Sequence, residues 1–99
     1  MLDAVEYYAD TEGGAYFEDP THADLVQLIQ GLDRASNTFV VLYPGDDTRD
    51  WFISVATRRS ALGGYEIERR DTDQARPTKN AAAVPTEIAT DILDWISQR

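Results

Sequence analysis

The 99-residue sequence contains no cysteine and only one histidine, and its apolar residues never form a long run. Without cysteine, the chain cannot form a disulfide, a thiolate nucleophile or a cysteine-ligated zinc site. No apolar segment approaches the roughly 20 residues that a membrane-spanning helix needs, and the first residues lack the basic and then apolar layout of a signal peptide. The short length and these absences predict one soluble, cytoplasmic domain over residues 1–99.

The first 33 residues lack lysine and arginine. They hold eight of the 18 acidic residues, so they carry nearly all of the net charge of −9. Charge of one sign speeds association with a cationic surface and repels nucleic acid and anionic lipid. The sequence therefore predicts an acidic binding protein whose partner is neither nucleic acid nor a membrane. The alternative is that the charge serves only solubility.

Hydrophobic periodicity predicts two amphipathic helices. Each begins at a Pro-Thr pair, and in the first helix Thr21 and Asp24 have the spacing of a capping box. The apolar stripes are Leu25, Leu28, Ile29 and Leu32 in the first helix and Ile88, Ile92, Trp95 and Ile96 in the second. Because each stripe must be covered, both helices are expected to pack on a sheet.

Four segments have the composition and alternation of strands: residues 4–9, 38–43, 51–58 and 65–70. Residues 15–17 are expected to return from a glycine turn as a loose hairpin. Residues 71–85 lack periodicity and predict a long irregular connection. The expected fold class is α+β, an antiparallel sheet of about four strands with two helices packed on one face.

Alternation in the third and fourth of these strands separates two sheet faces. Trp51, Ile53 and Val55 point to one side, and Tyr65 and Ile67 are expected to join them on the core face. The opposite face carries Phe52, Ser54, Arg58, Glu66, Glu68 and Arg70. We expect this second face to be the open side of the sheet.

Asp46, Asp47 and Asp50 have the DDxxD spacing that gathers magnesium and diphosphate in isoprenoid synthases. In those enzymes the motif lies on a helix, which places the carboxylates on one side. Here it follows Pro44 and Gly45 in a loop of a far smaller chain. A solvated turn in which aspartate bonds to the backbone is the favoured interpretation. No metal site or cofactor is therefore predicted.

Glu66 and Glu68 lie two residues apart on one strand face, close enough to form a carboxylate pair. Acid-base catalysis requires an environment that separates the two groups, such as an apolar pocket around one of them. The sequence indicates no such pocket, so ion pairing with Arg58 and Arg70 across the strands is favoured. His22 has no visible partner for a nucleophile or a metal. The chain is therefore predicted not to be an enzyme.

A family resemblance spans most of residues 20–96. It lies in Pro20-Thr21 before a leucine-rich helix, Phe39-Val-Val-Leu42, Trp51-Phe-Ile-Ser-Val55 and Gly64-Tyr-Glu-Ile-Glu-Arg69. In these features the chain resembles the type-one immunity proteins of bacterial polymorphic toxin systems. The resemblance implies a small α+β protein that binds and neutralises its cognate toxin in the producing cell. Such a toxin is often a nucleic-acid deaminase or nuclease.

Toxins that act on nucleic acid tend to have cationic substrate channels, so an acidic protein is expected to occlude the active site. The residues expected to bind the toxin are Glu12, Glu18, Asp19, Asp46, Asp47, Asp50, Phe52, Glu66 and Glu68. Trp51 lies beside the acidic loop, but its strand phase places it in the core. The alternative function is a non-catalytic adaptor or structural module that self-associates, or binds another protein, through an exposed strand edge.

Overall fold

The computed structural model describes residues 5–46, 48–58, 63–72 and 74–99. These residues form an α+β fold of six strands and two helices. In chain order the elements are β1 (Tyr7–Thr11), β2 (Tyr16–Glu18), α1 (His22–Gln30), β3 (Phe39–Pro44), β4 (Phe52–Thr57), β5 (Tyr65–Arg70), β6 (Thr78–Ala82) and α2 (Pro85–Ser97). The predicted α+β class, with two helices and an antiparallel sheet, is confirmed.

The strands form one antiparallel sheet in the order β2-β1-β3-β4-β5-β6. The prediction of about four strands was wrong, because the described sheet also includes β2, close to the loose hairpin expected at residues 15–17, and β6 at the opposite edge. β6 lies within residues 71–85, which were expected to be irregular. Four of its five residues are exposed, so this strand pairs through its backbone and needs no hydrophobic alternation.

β1 begins and ends later than the predicted strand at residues 4–9, whose first residue lies outside the described chain. Asp10 and Thr11, which were assigned to the turn, are part of the strand and pair with β3. Thr11 is buried, and its hydroxyl oxygen accepts a hydrogen bond from the Ala15 amide at 2.9 Å. That bond closes the glycine turn and returns the chain into β2.

Both helices pack on the same face of the sheet. The capping box predicted for α1 is present, since the Thr21 side chain accepts from the Asp24 amide and the Asp24 carboxylate accepts from the Thr21 amide. The residues at the centre of the core are Leu25, Ile29, Ile88 and Ile92 from the helices and Val40, Leu42, Ile53 and Val55 from the strands. The registers of β3, β4 and β5 place these strand residues on one side, as the alternation predicted.

Trp51 is only 4% exposed, which confirms that it belongs to the core. Its ring meets Trp95 of α2 in a T-shaped contact with centroids 5.6 Å apart. The Arg99 guanidinium covers the Trp95 ring at 3.9 Å and forms an ion pair with Asp71 at 2.8 Å. These contacts attach the end of α2 to the sheet.

Neither helix of the described chain combines the length and apolar character that a bilayer-spanning segment requires. α1 has nine residues and α2 has 13.

Candidate protein-binding face

The side of the sheet opposite the helices forms a continuous surface, which we call the open face. In an antiparallel sheet, residues directly opposite each other point to the same side, so the strand registers define its members. They are Tyr8, Asp10, Tyr16, Glu18, Phe39, Val41, Tyr43, Phe52, Ser54, Ala56, Glu66, Glu68, Arg70, Lys79 and Ala81. None of these residues is fully buried. The open face therefore combines five aromatic rings with four carboxylates and two basic groups.

Three tyrosines from three different strands stack at one end of the open face. Tyr8 on β1 lies between the other two, with its ring centroid 5.5 Å from that of Tyr16 and 5.4 Å from that of Tyr43. The ring planes of Tyr8 and Tyr16 differ by 26°, a stacked contact, and those of Tyr8 and Tyr43 differ by 30°, a tilted contact. We call Tyr8, Tyr16 and Tyr43 the tyrosine stack. Tyr16, on the edge strand, is 50% exposed and offers aromatic surface to a partner.

Carboxylates lie next to the tyrosine stack. Asp10 is opposite Tyr16 in the pairing of β1 with β2, and Glu18 is opposite Tyr8. The Tyr43 hydroxyl donates a hydrogen bond of 2.6 Å to Asp10 Oδ2. This bond, together with partial burial, raises the pKa of Tyr43 to about 12. Tyr43 therefore remains a neutral hydrogen-bond donor throughout the neutral pH range, and it fixes the orientation of the Asp10 carboxylate.

The other end of the open face is partly neutralised by ion pairs. Lys79 of β6 lies 3.8 Å from Glu66 and 3.9 Å from Glu68. Arg70 forms an ion pair with Asp50 at 2.7 Å, and its guanidinium carbon lies 5.8 Å from the centre of the Phe52 ring. Cross-strand ion pairing of the two glutamates is therefore present. The partner predicted for them was wrong, because β6 had not been recognised as the neighbouring strand.

The nine residues predicted to bind a partner lie in different parts of the structure. Glu18, Phe52, Glu66 and Glu68 lie on the open face. Asp50 lies beside that face, in its ion pair with Arg70. Asp47 lies outside the described residues. The structure thus brings together four of the nine predicted residues on one surface, and their binding of a partner stays a prediction.

The remaining three predicted residues accept hydrogen bonds from nearby parts of the chain. Glu12 accepts hydrogen bonds from the Thr38 amide at 2.9 Å and hydroxyl at 2.7 Å, which lower its pKa. Asp19 accepts from the amides of residues 6 and 7. Glu12 and Asp19 lie at opposite ends of β1, which is roughly 13 Å long. They therefore do not form one acidic patch.

Asp46 also has a structural partner. Its Oδ1 accepts hydrogen bonds from the Thr48 amide at 2.9 Å and hydroxyl at 2.8 Å, and both lower the pKa of Asp46. This is the turn geometry expected from the sequence. Within the described parts of the chain, no three histidine, aspartate or glutamate side chains are close enough to hold a metal ion.

His22 joins the two helices. Its Nε2 lies 3.1 Å from the Thr86 carbonyl oxygen and 3.1 Å from Thr90 Oγ1. The Thr90 hydroxyl itself donates to the Thr86 carbonyl oxygen. The imidazole therefore connects the first turn of α1 to the first turn of α2, on the side of the molecule away from the open face.

The tyrosine stack and Asp10 were missed by sequence reasoning. Tyrosine is common in strands, so none of the three tyrosines marks a binding site in the sequence. Asp10 was assigned to the turn that follows the first strand. In β1, Tyr7, Ala9 and Thr11 alternate with Tyr8 and Asp10. This alternation is the signal in the sequence from which the second face of β1 could have been found.

No protein-family model, curated protein sequence or solved structure matches the chain. The likeness to type-one immunity proteins rests on the pattern of residues in the sequence.

Proposed function

We propose that this protein is a non-catalytic inhibitor that binds a basic protein through its open face. The partner is a polymorphic toxin that acts on nucleic acid, and the bound inhibitor covers its cationic active site. The observation that carries the proposal is the composition of the open face. Aromatic rings and carboxylates lie on the same surface, and each of its residues is at least partly exposed to solvent. The toxin, as the class of partner, comes from the sequence resemblance.

Aromatic side chains surrounded by charged groups are typical of tight protein interfaces. Tyr16 and Phe39 are 50% and 36% exposed, so their burial by a partner removes apolar surface from water and favours binding. Tyrosine also loses little conformational entropy when it is bound. In this proposal the aromatic rings supply affinity, and the carboxylates supply the attraction to a basic partner.

The size of the open face indicates how the partner is held. One side of a sheet of six short strands presents roughly 400 Å², about half of the area that each partner contributes to a standard interface. Loops at the ends of the strands must supply the remainder. The acidic loop after β3 lies at the end of the sheet that carries the tyrosine stack, since Pro44 pairs with Tyr7. Asp46 and Asp50 are therefore proposed as part of the rim.

The test is affinity capture of the tagged protein from lysate of its source cells, followed by salt elution and measurement of association rates with the captured partner. The proposal expects one basic protein whose enzymatic activity is blocked in the complex. The double variant Glu66→Gln and Glu68→Gln should then associate several-fold more slowly at low salt, and the difference should shrink as salt screens the charges.

A matched control separates the open face from the net charge. Asp91→Asn combined with Asp94→Asn removes the same charge from exposed positions of α2. We expect this control to slow association much less. Equal slowing by both double variants would assign the effect to net charge and contradict the proposed face. A captured partner that keeps its full activity in the complex would contradict inhibition.

The exposed strand β6 favours a second candidate function, in which the protein is a structural module that self-associates. β6 is the last strand of the described sheet, and most of its residues are exposed. A free strand edge can pair with another strand through the backbone. Sedimentation equilibrium over a wide range of protein concentration distinguishes the two functions. A mass that doubles with concentration favours the structural module, whereas a constant monomer mass favours the inhibitor.

A further inference from the structure

We propose that the tyrosine stack and Asp10 form a recognition site for an arginine side chain. This inference rests on the proposed function, because the arginine belongs to the basic protein that binds the open face. It goes further by naming the group that is recognised and the residues that recognise it.

The shape of the site fits a flat cation. Tyr8 stacks on Tyr16 with ring planes 26° apart, and Tyr16 is the outer member, on a strand that ends the described sheet. Half of the Tyr16 surface is exposed. A guanidinium group is planar and stacks on the face of an aromatic ring, where the ring quadrupole attracts its charge. The tyrosine stack therefore offers a ready platform at its outer end.

The charges around the stack match the same ligand. Asp10 Oδ2 is held by the Tyr43 hydroxyl, whereas Oδ1 accepts no hydrogen bond from any residue that the structure describes. Glu18 is two residues from Tyr16 on the same face of β2, a separation of about 6.6 Å along the strand. Two carboxylates thus flank the platform, and a guanidinium has enough donors to bond to a carboxylate while it stacks.

Asp10 is preorganised to be the carboxylate that binds the arginine. The hydrogen bond from Tyr43 fixes its rotamer, and the stacked Tyr8 ring holds Tyr43 in place. A group that is already ordered loses little entropy when its ligand binds. A carboxylate on a mobile surface side chain lacks this advantage, which is why most exposed ion pairs contribute little.

Arginine fits better than the other cations found in proteins. The ammonium of lysine is compact and strongly hydrated, and it gains less from a flat aromatic platform. A methylated ammonium is held in a cage of rings that surround it on several sides. The Tyr8 ring contacts the rings of Tyr16 and Tyr43 directly, at centroid distances of 5.5 and 5.4 Å, so the tyrosine stack leaves no such space between its rings.

The test uses the purified full chain and NMR titration with hexa-arginine peptide as the probe. Hexa-citrulline, which has the same shape without charge, and hexa-lysine, which has the same charge without the planar group, serve as control peptides. We expect saturable shifts of the Tyr8, Asp10, Tyr16 and Glu18 amide signals with the arginine peptide. Hexa-lysine should bind more weakly, and the citrulline peptide should give no saturable shift.

Variants then identify the binding groups. Tyr16→Ala should weaken binding of the arginine peptide by about fivefold, the loss expected for one exposed cation–π contact, and Tyr16→Phe should retain it. Asp10→Asn should weaken binding similarly, because it removes the charge while an amide oxygen can still accept from Tyr43. Val84→Ala is the control, because it shortens an exposed apolar side chain at the start of α2, outside the open face, and it should have little effect.

The experiments give different results if the arginine site is wrong and if the inhibitory function is wrong. Equal affinity for the lysine and arginine peptides, or unchanged affinity after Tyr16→Ala and Asp10→Asn, would overturn the arginine site. If the captured partner is inhibited equally by wild type and by these variants, the function stands and the arginine site does not. If hexa-arginine binds at the stack while no captured enzyme is inhibited, the site stands and the inhibitory function does not.

Discussion

Tyr43 on β3 donates a 2.6 Å hydrogen bond to Asp10 on β1, across 33 residues of sequence. The bond joins two adjacent strands on the open face, next to the rings of Tyr8 and Tyr16. It stabilises the sheet and orients the carboxylate that we propose as an arginine ligand. The same contact therefore contributes to folding and to the shape of the candidate binding site.

Removal of the charge on Asp10 should lower the pKa of Tyr43. In the native protein, the hydrogen bond to Asp10 is the largest cause of the rise from 10.0 to about 12. Asp10→Asn leaves a weaker, uncharged acceptor, so the pKa should return toward 10.0. The ultraviolet absorbance of tyrosinate, followed as a function of pH, measures this change. Glu18→Gln removes a nearby charge that makes no bond to Tyr43 and should have a much smaller effect.

The raised pKa of Tyr43 also predicts how its contribution to stability depends on pH. Ionisation is harder in the folded state, so the contribution is fully present below pH 10 and is lost as pH rises through about 12. Tyr43→Phe should therefore destabilise the protein at neutral pH. The difference from wild type in free energy of unfolding should shrink between pH 10 and 12. Urea denaturation at several pH values measures it, and a constant difference would contradict the assigned bond.

The helices and central strands were predictable because their apolar residues recur with the period of the element. Leu25 and Ile29 lie one helical turn apart, and Ile53 and Val55 alternate along a strand; all four are completely buried. The fold class follows from these patterns, since two apolar stripes need a sheet to cover them.

The edge strand β6 was not predictable in the same way. Lys79 and Asn80 of β6 are exposed on a strand that contributes little to the core, so burial leaves no pattern in the sequence. The candidate site was even harder to predict from the sequence, because it forms only when β1, β2 and β3 pair in one register. Tyr16 and Tyr43 are distant in sequence, and neither has an unusual neighbour that marks it.

Asp33 should stabilise the loop between α1 and β3 in a pH-dependent way. Its Oδ1 accepts hydrogen bonds from the amides of Ala35, Ser36 and Asn37, which lower the pKa of Asp33 below 3.8. The contribution of the charged group is therefore present above pH 3.8 and is lost as pH falls through the lower folded-state value.

Substitutions at Asp33 test this loop. Asp33→Ala should lower the melting temperature at neutral pH, and Asp33→Asn should lower it less because an amide oxygen can still accept these bonds. For both variants, the difference in melting temperature from wild type should diminish in acid below pH 3.8. A destabilisation by Asp33→Ala that persists unchanged in acid would show that the charge of the carboxylate is not involved.

Gly45 should not tolerate a side chain. Its amide donates to the Glu6 carbonyl oxygen at 3.0 Å, and a Cβ at this position would collide with the Val5 carbonyl oxygen. Because both contacts are with backbone, a shift of one side chain cannot relieve the collision. Gly45→Ala should lower the free energy of unfolding by about 1–3 kcal/mol, as measured by urea denaturation.

Gly31→Ala is the matched control for Gly45→Ala. Gly31 ends α1 with φ −79° and ψ −6°, a right-handed conformation open to alanine, and a Cβ there would lie 3.3 Å from the Gln27 carbonyl oxygen, a close contact without a collision. The replacement restricts the unfolded chain and should leave stability unchanged or raise it by about 0.4–1 kcal/mol. Similar destabilisation by both variants would contradict the close approach assigned to Gly45.

α2 should become more stable when it receives the cap that α1 already has. Val84 is the N-cap of α2, with φ −108° and ψ 111°, and it makes no side-chain capping bond. It is 44% exposed, so its replacement disturbs little packing. Val84→Ser places a hydroxyl three residues before Glu87, the spacing of a capping box, and should stabilise the protein by about 0.5–1 kcal/mol in urea denaturation.

Thr21→Ala provides the reverse test. It removes the hydroxyl that caps α1 and should destabilise by about 1 kcal/mol. Because His22 links the first turn of α1 to the first turn of α2, the two helix starts are in contact, and we expect the two effects to be coupled in the double variant. A destabilised Val84→Ser protein would mean that the apolar contact of Val84 outweighs the unsatisfied amides at the start of α2. The two helices would then begin by different physical means, with a capping box in α1 and packing beside Pro85 in α2.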